Sequence, residues 1–224
     1  MKVTVFNGSP RAENSNTHVI ASAFLKGAEA AGAEVQNIFL SEKNIKHCIG
    51  CFTCWHKTPG KCIHRDDMDE LLEIVLSSDI ICLATPVYLW NMTAHLKNFM
   101  DRLIPTKRHN VVEEDGHYEM SNSEIPRPKI VILSNAGFPG DNNFETMKMV
   151  MRSMEPALEI YRNCGMLMRT KDATILPKVS EYLEYVSKAG AEMASVKSVS
   201  PETLNGLSMD IMSTGDYVAY ISRG

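Results

Sequence analysis

Short apolar runs alternate with helical stripes along most of this sequence, and that alternation leaves few folds open. Val3 to Phe6 is an apolar, β-branched run ending in Asn7-Gly8-Ser9-Pro10, after which Ile20, Phe24, Gly27 and Ala31 recur on one helical face. Glu34 to Leu40 reads as a second strand behind a helix stop at Gly32. Asp67 with Glu70 makes a capping-box-like start for a helix whose face carries Met68, Leu71, Leu72, Val75 and Leu76. Ile80 to Ala84 is apolar without interruption, the pattern of a strand buried on both faces. Met92, Leu96, Phe99, Met100 and Leu103 form a third helical face, Lys129 to Ser134 a fourth strand, and Phe144, Met147, Met151, Met154 and Leu158 a fourth helical stripe. A fifth strand is expected between Gly165 and Leu176, followed by a fifth helix through Val179, Tyr182, Leu183, Val186, Gly190 and Met193. Strand and helix in strict turn predict an α/β fold with a doubly wound parallel sheet.

Two stretches break the alternation: residues 47–65, rich in Cys, His and Gly, and residues 105–128, polar and bounded by prolines. Long inserts in a compact domain usually carry function or disorder. The expected organisation is one domain over residues 1–199 with these two inserts. Residues 200–224 have weak periodicity and form a tail whose structure is left open, wrapping the domain or a partner subunit.

A net charge of −4 with interspersed signs offers no basic stripe, which argues against nucleic acid and against anionic membrane as partners. No apolar run approaches the roughly 20 residues of a bilayer span, and the N-terminus lacks the apolar core of a signal peptide. A cytoplasmic protein is expected, so its six cysteines point to metal, redox or buried thiols rather than a disulfide scaffold.

Two segments carry ligand chemistry. Gly8-Ser9-Pro10-Arg11 with Asn14-Ser15-Asn16-Thr17 joins the first strand to the first helix, where hydroxyls, backbone N–H groups and one guanidinium converge on an anion. It is neither a Walker loop nor a GxGxxG turn; the plainer reading is a βα loop with its N-cap at Ser15 or Asn16. Thr85-Pro86-Val87-Tyr88-Leu89-Trp90-Asn91 follows the buried third strand, beside the switch point where open α/β sheets bind ligands. Its aromatics suit a flat ring, or else a surface or an interface.

Cys48-x2-Cys51-x2-Cys54-x7-Cys62 gathers four of the six cysteines within fifteen residues. Four thiolates on one loop, with Gly50 and Gly60 to bend it, are what a [4Fe–4S] cluster requires. A four-cysteine zinc site and a metal-free loop stay open beside it, the histidine filler His47, His56 and His64 counting against the cluster. Cys82, inside the third strand, and Cys164, near a turn, read as core thiols.

Together GSPR with SNT, the cysteine loop, DDM, SSDIICLATPVYLWNMTAHLKNFMDR and SNAGFPG resemble the flavodoxin-like NAD(P)H-dependent FMN reductases, in particular their iron–sulfur flavoprotein branch, over about residues 1–160. The resemblance implies a five-stranded sheet in the order 2-1-3-4-5 with helices on both faces. It implies an FMN phosphate held by Ser9, Arg11, Ser15, Asn16 and Thr17, and an isoalloxazine packed on Pro86, Val87, Tyr88, Leu89, Trp90 and Asn91, with Asn135, Ala136 and Gly137 as the remaining wall. Cys48, Cys51, Cys54 and Cys62 match the branch's compact cluster motif. The expected function is an FMN-dependent oxidoreductase moving electrons from NAD(P)H or a reduced iron–sulfur partner to a small acceptor such as a quinone or a flavin. A homodimer or homotetramer is implied; a non-enzymatic flavodoxin-like carrier serving a redox protein is the alternative. No side chain is assigned as acid or base, because the flavin carries the chemistry.

No HExxH or GxSxG motif suggests hydrolysis. His95 and the Asp101-Arg102 pair read as helix-face polar residues with a local ion pair, the methionines as core or interface filler, and His109 and His117 as residues of an exposed loop or of a substrate pocket.

Overall fold

The computed structural model describes residues 1–107, 111–114, 116–120 and 127–222. Among them the strands are β1 (Lys2–Asn7), β2 (Glu34–Phe39), β3 (Ile80–Pro86), β4 (Val111–Glu114), β5 (His117–Met120), β6 (Lys129–Asn135) and β7 (Leu158–Arg162). Five of these pair in parallel in the order β2-β1-β3-β6-β7, while β4 and β5 form a separate antiparallel hairpin. With the hairpin set aside, the order is the expected 2-1-3-4-5. The helices are α1 (Asn16–Ala30), α2 (Thr53–His56), α3 (Met68–Ser77), α4 (Ala94–Asp101), α5 (Glu145–Arg152), α6 (Leu176–Val196), α7 (Pro201–Leu207) and α8 (Thr214–Ile221).

Alternation along the central strands divides the apolar residues between two cores. Val3, Val5, Ile80, Cys82, Val131 and Leu133 lie under α1 and α6, whereas Phe6, Ile81, Leu83 and Ile132 lie under α3, α4 and α5. Both faces are covered, which is why these strands read as continuous apolar runs. Close approach of α1 to α6 depends on two glycines: a Cβ on Gly27 would stand 1.7 Å from the Ser187 carbonyl oxygen, and one on Gly190 2.0 Å from that of Phe24.

The last strand departs from expectation. It occupies Leu158–Arg162, and the Gly165–Leu176 stretch holds a 3-10 turn at Gly165–Arg169 instead. The cause lies upstream: α5 stops at Arg152, Glu155 takes a left-handed φ of +49°, and Pro156 forbids a continued helix, so Leu158 starts a strand. Two details at α3 also differ. Asp67 does not cap the helix; its carboxylate accepts the Asn44 N–H at 2.8 Å, fastening the base of the cysteine loop. Leu76 is exposed rather than part of the buried face.

Residues 200–222 form α7 and α8, which pack on the same domain: Leu207 and Tyr217 belong to the core beneath α1 and α6. Cys82 and Cys164 are buried thiols as expected, and burial pushes both upward in pKa. His95 is exposed on α4; His109 lies outside the described residues, and His117 sits on β5. No helix among the described residues is long and apolar enough to cross a membrane.

Candidate functional site

Three loops leave the carboxyl ends of β1, β3 and β6 and close around one cavity of about 420 Å³. Backbone bonds fix their spacing. Gly8 N–H donates to the Ala84 carbonyl at 2.8 Å and Val87 N–H to that of Asn135 at 2.8 Å, and the Thr93 hydroxyl at the head of α4 donates to the Gly8 carbonyl at 2.6 Å. Gly8 is obligatory here, since a Cβ would lie 2.7 Å from that of Leu96.

The first loop presents the start of α1. Ser15 is its N-cap, accepting the His18 N–H at 3.0 Å while donating to the Ala12 carbonyl at 2.7 Å. The next ladder bond is from Val19 N–H to the Ser15 carbonyl, so the amides of Asn16 and Thr17 stay outside the helix's own ladder on residues that line the cavity. Thr17 donates its hydroxyl to Asn135 Oδ1 at 2.6 Å and ties the first loop to the third. Arg11 lines the cavity with its side chain exposed.

The second loop is a tight two-residue turn. Tyr88 and Asn91 exchange backbone bonds at 2.8 and 3.1 Å, and between them Leu89 and Trp90 both take left-handed backbone, at φ +46° and +62°. Glycine or asparagine normally fills such positions, and a larger residue costs about 1–2 kcal/mol each. Burial within the chain does not compensate: Leu89 is 87% and Trp90 61% exposed. Strain of this kind gathers at ligand clamps.

The third loop, Asn135 to Phe138, is pinned from outside. Ala136 N–H donates to the Arg162 carbonyl at 2.9 Å, and the buried Tyr217 hydroxyl of α8 donates to the Gly137 carbonyl. Arg162 in turn donates to the Met209 carbonyl at 2.7 Å, so the C-terminal segment braces a wall of the cavity.

The cysteine loop lies elsewhere, between β2 and α3. Cys48, Cys51, Cys54 and Cys62 all line one small cavity of about 20 Å³, with Ile49, Gly50, Phe52, Ile63, His64, Asp101, Arg102, Ile104 and Pro105. Cys48 and Cys51 are exposed and Cys54 is buried. Burial and its neighbouring thiols raise Cys54, whereas a hydrogen bond from Thr53 lowers Cys51. Among the described residues no three His, Cys, Asp or Glu side chains converge on a single metal position. A buried ion pair holds the loop's base: Arg102 Nη1 and Nη2 grip Asp66 at 2.7 and 3.0 Å, and Nη1 also donates to the Lys46 carbonyl at 2.6 Å. Burial would raise Asp66, but the Arg102 fork and the Lys46 N–H outweigh it and hold the carboxyl below its usual range. The Asp101-Arg102 reading is thereby corrected: Asp101 pairs with Lys97 on the surface, and Arg102 turns inward. Trp55 docks the loop by donating to the Lys107 and Ile104 carbonyls at 3.0 and 3.3 Å.

Of the residues singled out for a flavin, Ser9, Arg11, Ser15, Asn16, Thr17, Pro86, Val87, Tyr88, Leu89, Trp90, Asn135, Ala136 and Gly137 line the 420 Å³ cavity together. Asn91 does not; it closes the turn through its backbone and its Oδ1, which accepts the Met92 N–H at 2.8 Å. Phe138 and Asn143 join the lining without having been singled out. Phe138 was within reach, standing directly after Gly137, whereas Asn143 arrives through a turn that sequence pattern does not mark.

Residues 1–114 match the family model for NADPH-dependent FMN reductase. An iron–sulfur flavoprotein of Archaeoglobus fulgidus is 46% identical over 105 residues, 47% of this chain and 46% of that protein. One from Methanosarcina thermophila is 36% identical over 110 residues, covering 49% and 56%. The matched stretch therefore spans about half the length of these relatives. Among solved structures, an FMN-dependent NADH-azoreductase from Bacillus anthracis in complex with FMN superposes with a TM-score of 0.63 at 15% identity, over 87% of this chain and all of that one. An NAD(P)H:quinone oxidoreductase from Methanothermobacter marburgensis gives 0.61 at 18% identity, over 86% and 96%. At these identities the likeness is one of fold.

Proposed function

This chain belongs to the NADPH-dependent FMN reductase family, and from that premise we propose that the 420 Å³ cavity holds FMN and that the protein carries electrons from NAD(P)H to a small acceptor such as a quinone. The observation that carries the reading is the closure of three strand-end loops on one cavity at the switch point of the sheet. FMN, when bound, supplies the hydride and electron transfer. The chain's own residues bind and orient it. Arg11, Ser9 and the free amides of Asn16 and Thr17 meet the phosphate at the positive end of α1. The hydroxyls of Ser15 and Thr17 are engaged inside the protein, so these two shape the turn instead. Tyr88, Leu89, Trp90 and Phe138 form an apolar rim against which the ring packs and which the acceptor, or a second copy in a homodimer or homotetramer, covers.

We infer a second cofactor, a [4Fe–4S] cluster on Cys48, Cys51, Cys54 and Cys62. Each ligand of such a cluster holds its own iron, so the sulfurs surround a volume rather than converge on a point, which suits this arrangement better than one zinc ion. The cavity is small, and the extra volume has to come from the exposed side where Cys48 and Cys51 stand. Anaerobic reconstitution followed by iron, sulfide and zinc analysis tests this reading, with four irons and four sulfides expected per chain. Cys54→Ser should remove the iron and leave FMN bound. Zinc, or no metal with all four thiols titrating freely, rejects the cluster. Steady-state oxidation of NADH and NADPH by the FMN-loaded protein with a quinone tests the enzyme reading. Turnover no faster than with free FMN would leave an electron carrier.

A further inference from the structure

Two buried polar atoms at the cysteine cavity have no hydrogen-bond partner among the described residues: Arg102 Nε and His64 Nε2, both on residues that line it. A buried N–H left unsatisfied costs about 1–3 kcal/mol, so an orphan beside a candidate ligand site points to an acceptor that the filled site brings within reach. Arg102 is the sharper case. Its side chain is 1% exposed, and its two terminal nitrogens are committed to Asp66 and the Lys46 carbonyl. Nε is the nitrogen left without a partner among the described residues. Cys62 lines the same small cavity, which puts the guanidinium beside a cysteine of the loop.

We propose that Arg102 sets the reduction potential of the iron–sulfur cluster, its Nε–H donating to the Cys62 sulfur and its charge favouring the reduced form. The proposal rests on the cluster reading above. Reduction adds one electron, drawn from reduced flavin or from a titrating reductant, and with no proton taken up it leaves the cluster one unit more negative. A buried cation and an N–H donor to a ligand sulfur both stabilise that added charge. Asp66 opposes them, being the carboxylate that partly neutralises the guanidinium. Arg102 is thus a tuning residue, acting through a ligand and not on substrate.

The test is an anaerobic potentiometric titration of the reconstituted, FMN-loaded full chain, with the cluster followed by electron paramagnetic resonance. Two variants are compared with the native protein. The double variant Arg102→Gln with Asp66→Asn removes both charges and keeps neutral hydrogen-bonding groups. Its potential should move negative by at least a tenfold change in the reduced-to-oxidised ratio at fixed potential, about 59 mV for a one-electron couple. Asp66→Asn alone leaves the cation uncompensated and should move the potential positive. A purely structural role predicts no such opposition of sign. Coincidence of the double variant with the native potential, or shifts of both variants in one direction, overturns the proposal. Should the double variant fail to fold, a missing positive shift in Asp66→Asn does so. Native protein with four irons and an unmoved potential in the variants sinks Arg102 alone. Native protein with FMN but no iron sinks the cluster reading, and the proposal with it.

Discussion

The strand-end cavity and the cysteine loop are built from opposite materials. Every wall of the cavity continues from a buried parallel strand, and the loops are bonded to one another through Gly8 to Ala84, Val87 to Asn135 and Thr17 to Asn135. Among the described residues the cysteine loop has one four-residue helix, α2, two exposed cysteines, Cys48 and Cys51, and a single buried ion pair at its base. The sheet imposes the shape of the first site before any ligand arrives. The four cysteines of the second line one small cavity on a loop whose shape the sheet does not impose. The same division separates a site on rigid elements from one whose precision a bound group must supply.

The largest way to break this comparison is to remove the loop's anchor. Arg102→Ala leaves Asp66 buried and uncompensated, which costs about 3–5 kcal/mol. Chemical denaturation should show a loss of that size, while FMN affinity, measured well below the transition, stays near native because none of the cavity's tie points involves the pair. An equal loss of FMN would mean that the two regions are coupled. The pair also has an acid signature. Asp66 has a lower pKa folded than unfolded, so its contribution is present at neutral pH and is lost as pH falls below about 3.8, the ordinary value, through the folded one. Asp66→Asn should flatten that part of the acid unfolding curve.

The cavity side is sharpened by separating phosphate from ring. Arg11 is exposed and makes no bond among those that hold the loops together. Arg11→Ala should therefore weaken FMN about tenfold or more, the value of one charge-assisted hydrogen bond, and leave riboflavin unchanged. Thr17→Ala should weaken both ligands, because the lost bond to Asn135 loosens the wall against the ring as well as the turn. Titrating each variant with both flavins checks the split; equal loss for Arg11→Ala would remove the phosphate from this end of α1.

How much of this was legible in the sequence follows the same division. β1, β3 and β6 were readable because burial on both faces writes a short apolar run, and the first two cavity loops because they directly follow β1 and β3; the strand order and the third loop came from the resemblance to the reductase family. What was missed came from contacts between distant segments. Leu158 was counted with a helix because its spacing from Met154 fits one, yet Pro156 stands between them. Arg102 looked like a partner for its neighbour Asp101, and only tertiary packing brings it to Asp66 across 36 positions. The tail's weak periodicity hid Tyr217, one buried aromatic whose hydroxyl braces Gly137 from 80 positions away.

The smallest expected effect tests whether the cavity's rim is strained for the ligand's sake. Trp90 holds a left-handed backbone at φ +62° with 61% of its surface exposed, so the free protein gains little from the side chain and bears the conformational cost. Glycine relieves about 1–2 kcal/mol of that cost and gives back about 0.5–1 kcal/mol through its larger unfolded entropy. Trp90→Gly should therefore stabilise the flavin-free protein by roughly 0.5–1 kcal/mol. Leu89→Gly shares the strain, at φ +46°, and should gain a similar amount. The two variants part when FMN is bound. Only Trp90 carries an aromatic ring able to stack on or edge the isoalloxazine, so flavin fluorescence should rise in Trp90→Gly and hold in Leu89→Gly. Denaturation of both flavin-free variants, paired with fluorescence of both FMN complexes, distinguishes the cases. A destabilised Trp90→Gly would show that the turn is held by contacts of the indole within the chain, and the strain would then have no bearing on the ligand.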